Sequence, residues 1–118
     1  MDESREAKVA AAKARMIELA GKFIDRTRGE VSTMRGALEQ VKAGDAGALG
    51  QIRHFAHKMA GTGATLGFEA LSDIATRLER LVESLPEGVP PDAQTQGRLG
   101  ADIDALDAQL EEDARSRR

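Results

Sequence analysis

The chain has no cysteine, tryptophan or tyrosine, and only three prolines and three phenylalanines in 118 residues. Without thiols there is no disulfide, no thiolate metal site and no cysteine nucleophile, and a cytoplasmic location is the expectation. With so few aromatic residues and with alanine, leucine, glutamate and arginine abundant, the composition favours helix over sheet. No run of eighteen apolar residues occurs, and Met1 to Glu6 is charged, so neither a membrane span nor a secretory signal is expected. The formal charge of −3 arises from acidic and basic residues interspersed along the chain, so no broad positive field is offered to nucleic acid. The length fits a single domain over residues 1–118, with its core spanning about residues 9–112.

What is present is helical periodicity. Val9, Ala12, Met16, Leu19, Phe23, Thr27, Val31, Met34, Leu38 and Val41 follow steps of three and four, the spacing of one helical face against a core. Gly21 and Gly29 lower helix propensity, but the period does not reset at either, so one long helix is predicted. Ala43-Gly44-Asp45 supplies a glycine stop and an aspartate able to cap the next helix. Leu49, Ile52, Ala56, Met59, Gly63 and Leu66 form a second stripe, interrupted at Gly67. Phe68, Leu71, Ile74 or Ala75, Leu78, Leu81 or Val82, and Leu85 form a third, running to about Leu85. The prolines of 86–92 turn the chain, and Leu99, Ile103, Leu106 and Leu110 carry a last helix, capped by Asp92 or Thr95. The tail arginines Arg115, Arg117 and Arg118 read as a solvated terminus. Four amphipathic helices with short connections predict an all-α, antiparallel up-and-down four-helix bundle with a long N-terminal helix.

The only two histidines, His54 and His57, lie about one helical turn apart beside a run of small residues. The helical neighbours of His57 on its C-terminal side are Ala60, Gly61 and Ala64, and on its N-terminal side Gly50, Arg53 and His54. One flank is cleared of bulk and the other is basic. Clearance lets a second macromolecule bring a reacting group within a few ångströms of the imidazole. Lys58 and Arg53 are placed to balance phosphate charge, and imidazole keeps a substantial neutral, nucleophilic fraction at pH 7. Gly63 lies on the apolar stripe and reads as a packing glycine; Gly61 lies off it and reads as clearance.

Here the sequence resembles the histidine phosphotransfer (HPt) domains of two-component phosphorelays. The resemblance rests on His57, Met59, Gly61-Thr62-Gly63 and Leu66-Gly67. It extends through Phe68 to Leu71, Arg77 to Glu79 and, upstream, Phe23 to Glu30 and Ala43 to Asp45, covering roughly residues 16–85. It implies a helical bundle whose histidine is phosphorylated on Nε2 and exchanges the group with an aspartate of a receiver domain. His57 is then the phosphoacceptor, Lys58 and Arg53 the phosphate-supporting residues, and Gly50, His54, Ala60, Gly61 and Ala64 the partner contacts. The lysine often found three positions after the histidine is Ala60 in this chain.

The implied partners are response-regulator receiver domains and a histidine kinase, with the protein itself a monomer. Mg²⁺ would belong to the receiver, and this chain needs no cofactor of its own. No nucleophile elbow, Walker loop or kinase signature is present, so the phosphate must come from elsewhere. His54 and His57 share a face, but no third ligand stands at a matching helical position, which argues against zinc. Two other readings stay open: a helical module that docks receivers without chemistry, and the phosphorylated N-terminal domain of a chemotaxis-type kinase.

Overall fold

A computed structural model describes residues 2–117; Met1 and Arg118 lie outside the described residues. Four helices fold as an antiparallel up-and-down bundle: α1 (Asp2–Lys42), α2 (Leu49–Thr65), α3 (Glu69–Glu83) and α4 (Ala93–Arg115), with one 3₁₀ turn at Ala46–Ala48. Among the described residues there is no strand, and no helix is long and apolar enough to cross a membrane.

The connections follow from local chemistry. Gly44 adopts φ +106°, and the amides of Gly44 and Asp45 reach back to the carbonyls of Val41 (3.0 Å) and Gln40 (2.9 Å). That closes α1 in a Schellman motif, which only a residue tolerant of left-handed backbone can form without strain. Asp45 then caps the 3₁₀ turn, its carboxylate accepting from the Gly47 amide, so the expected cap serves this turn and not α2 directly. Gly67, at φ +87°, ends α2 the same way: its amide bonds Ala64 and that of Phe68 bonds Gly63 at 2.8 Å. Asp92, not Thr95, caps α4 by accepting from the Thr95 amide.

The core is built from the predicted stripes. Met34, Ile52, Leu71, Leu78, Leu99, Ile103, Leu106 and Leu110 are fully buried. Phe23 stacks on Phe68 at 5.5 Å between ring centroids, locking α1 to the α2–α3 turn. Arg35 reaches Asp104 and Asp107, and Arg28 reaches Glu111, fixing α4 antiparallel to α1; Arg77 pairs with Asp102 across α3 and α4.

One expectation fails. The apolar face predicted to meet the core from Val9 onward is exposed as far as Leu19, and the buried residues begin at Ala20, not near residue 9. The periodicity is real, but α2, α3 and α4 are too short to reach it. α1 runs past the end of the bundle as a free arm, which accounts for the 63 × 23 × 17 Å extents. Arg115 and Arg117 are exposed, as expected of the tail; Arg115 pairs with Glu112 on the surface, and the Arg117 guanidinium lies 5.0 Å over the Phe68 ring.

Candidate functional site

The second apolar stripe turns Leu49, Ile52, Ala56, Met59 and Gly63 into the core, with Leu66 half-buried. His57, two residues before Met59, is thereby pushed to the rim between α2 and α3. Its side chain is 73% exposed, and its Nδ1 lies 2.6 Å from Oε2 of Glu79 on α3. Glu79 itself is only 15% exposed, so its carboxylate is held in place under the ring. A carboxylate only accepts hydrogen bonds, so this contact puts the ring proton on Nδ1. Neutral His57 therefore keeps its free lone pair on Nε2, the nitrogen turned away from the carboxylate.

Glu79 is a neighbour of His57 that the helical positions around His57 do not reveal. A signal for it exists in the hairpin. α2 and α3 are antiparallel about the Gly67-Phe68 turn, and His57 and Glu79 stand equally far before and after Phe68 in sequence. Arg53 and Glu83 are likewise equidistant from Phe68 and approach to 3.9 Å. Ser72 ties the two helices closer to the turn, its hydroxyl donating to the Ala60 carbonyl at 2.7 Å.

The basic residues stand on opposite sides of the histidine. Arg53 leans toward Glu83, while Lys58 turns toward α1, its Nζ 3.0 Å from Oε2 of Glu30 and 5.7 Å from the Phe55 ring centroid. Glu30 is 10% exposed, so Lys58 neutralises a nearly buried carboxylate. Lys58 also lines a shallow depression with His57, Gly61, Thr62 and Thr65.

Gly50, His54, Gly61 and Ala64 are exposed as expected, and nothing lies within 4 Å of where a Cβ on Gly61 would stand. Gly63 does sit in packing: a Cβ there would touch the Phe68 carbonyl, Ser72 and Phe23 at 3.6–3.8 Å. Ala60 is half-buried against α3 and offers less surface than a partner contact was expected to. His54 has only the ring of its neighbour Phe55 nearby, 5.5 Å away and tilted.

An exposed imidazole, oriented through one nitrogen and open at the other, beside a cleared helix surface, is equipped to accept a group from a second macromolecule. A family model described as "Hpt domain" matches residues 18–111. No curated protein and no solved structure matches the chain. The family match begins where burial begins and leaves most of the α1 arm outside it.

Proposed function

Because the chain belongs to the Hpt domain family, whose members are phosphotransfer modules of phosphorelays, we propose that it carries a phosphoryl group on Nε2 of His57. The observation that supports this assignment is the 2.6 Å contact between His57 Nδ1 and Glu79. It selects the tautomer with a nucleophilic Nε2 and aims the ring outward.

The chemistry is an exchange between two nucleophiles. The Nε2 lone pair attacks the phosphorus of an aspartyl phosphate on a receiver domain. As the N–P bond forms, the bond from phosphorus to the aspartate oxygen breaks, and its electron pair returns to the aspartate carboxylate. The ring becomes cationic and keeps its proton on Nδ1, where Glu79 stabilises the new charge. Reversal onto a second receiver restores the neutral ring. Mg²⁺ belongs to the receiver's acidic site, and the receiver supplies most of the electrostatic stabilisation.

Lys58 and Arg53 flank the histidine as the charges closest to hand for the phosphoryl oxygens. Lys58 shares the depression beside His57, so it is the stronger of the two; to reach a phosphate it must share its charge with Glu30. Gly50, His54, Gly61 and Ala64 form the surface on which the receiver docks, and Ala60 contributes at its edge.

The test is transfer from a phosphorylated receiver. Wild type and His54→Gln become labelled, and His57→Gln does not. Labelling of His57→Gln at the wild-type level would overturn the assignment. Receiver binding without labelling of wild type would favour the docking module without chemistry.

A further inference from the structure

The arm of α1 carries a pattern that the bundle does not use. Val9, Met16 and Phe23 recur every seven residues, with Ala12 and Leu19 between them, which is the a/d seam of a heptad repeat. Phe23 is buried in the bundle, whereas Val9 is 49%, Met16 46% and Leu19 41% exposed. The exposed seam continues the same helix face that packs inside the bundle from Ala20 onward. The bundle stops where Phe68 stacks on Phe23 and Arg117 covers Phe68, which leaves the next turns of the seam uncovered.

The charges beside the seam say what it would accept. Lys8, Arg15 and Lys22 form a second row with the same seven-residue spacing along one edge, at the g positions, while the e edge carries Glu6 and Lys13. Lys22 is paired with Glu18 on its own helix, but Lys8, Lys13 and Arg15 have no carboxylate within 4 Å among the described residues. Side chains at e and g decide partner and orientation in such seams. A second copy is a poor fit. Paired antiparallel, the arms would set Arg15 against Arg15 and Lys8 against Lys22. Paired parallel, they would set Lys8 against Lys13. A lipid surface is also a poor fit: Ile17, 64% exposed, widens the patch beside Met16, but the seam has alanine at its centre and no exposed aromatic side chain, and acidic Glu6 and Glu18 stand among the basic residues.

We propose that the arm of α1 docks an acidic amphipathic helix of a partner protein. That helix lies along Val9, Ala12, Met16 and Leu19, with its carboxylates beside Lys8, Lys13 and Arg15. Apolar contact along the seam supplies affinity, and the basic edges reject basic helices and a second copy of the chain. The site is independent of His57 and lies almost wholly outside the residues matched by the family model.

The probe is a synthetic peptide of about three heptads with Ile at a, Leu at d and Glu at every e and g position, titrated against the full chain by fluorescence anisotropy. A control peptide has Lys at e and g. The glutamate peptide binds saturably and at least about tenfold more tightly than the lysine peptide, because charges at e and g set partner choice. The double variant Lys8→Glu, Arg15→Glu reverses that preference. Met16→Asp abolishes binding while its helical melt stays that of wild type, as befits an exposed position. Equal affinity for the two peptides, or no saturable binding, would overturn the proposal. So would a dimer in sedimentation equilibrium that Met16→Asp dissociates, or tighter binding to phosphatidylserine vesicles than to the glutamate peptide.

Discussion

Two exposed surfaces of this protein are organised in opposite ways. Around His57 the charged side chains are paired: His57 to Glu79 and, at 3.9 Å, Arg53 to Glu83 across α2 and α3, and Lys58 to Glu30 across α2 and α1. On the α1 arm the basic side chains at 8, 13 and 15 are free among the described residues and the apolar ones are uncovered. A tied surface holds a reactive atom in one orientation before any partner arrives, as positioning for group transfer requires. An untied surface with an apolar seam gains its order from whatever covers it. The first is suited to chemistry and the second to docking.

The contrast is sharpest within α1 itself, whose two halves share one period. Met34→Ala, at a fully buried position, is expected to lower unfolding stability by about 2–5 kcal/mol. Met16→Ala, on the arm, stays within about 0.5 kcal/mol of wild type. Chemical denaturation of the two variants checks this; a comparable loss from Met16→Ala would mean that the arm is packed in solution.

Next in size is the tie under the histidine. Glu79→Ala is expected to slow phosphotransfer on the order of 10–100-fold, by analogy with the loss on removing the partner that orients a metal-bound histidine. Glu79→Gln recovers part of that loss, since its amide oxygen still accepts from Nδ1. Met16→Asp leaves the rate unchanged. Single-turnover transfer from a labelled receiver measures all three, and equal rates for wild type and Glu79→Ala would remove the orienting role.

The smallest effect concerns the cap of α4. Hydrogen bonding to the Thr95 amide, and secondarily to its side chain, lowers the Asp92 carboxyl below its ordinary 3.8. Its contribution is therefore fully present above pH 3.8 and is lost as pH falls through the lowered value. Asp92→Ala should melt slightly below wild type at neutral pH, and the gap should close in acid. A gap that persists below the lowered value would show that the side chain acts through something other than its charge.

Much of this was legible in the residues. The four stripes, the glycine exits at Gly44 and Gly67 and the exposure of His57 follow from helical spacing and glycine stereochemistry alone. Two features did not. Periodicity marks a face that can be buried, but burial requires another element of sufficient length, so Val9 to Leu19 read as core although nothing reaches them. Glu79 was hidden because it is remote from His57 in sequence and adjacent only once the hairpin is closed. Its equal spacing about Phe68 is a signal that a register argument could have used. Lys58 illustrates a third kind of difference: its charge was visible, but its tie to Glu30 depends on how α1 crosses α2.

The proposed chemistry rests on one atom of one ring. NMR of the phosphorylated protein, resolving the imidazole nitrogens of both histidines, tests it directly. The expected result is phosphate on Nε2 of His57, with the proton retained on Nδ1 and His54 unmodified. Phosphate on His54, or on Nδ1 of His57 with the Glu79 contact broken, would contradict it.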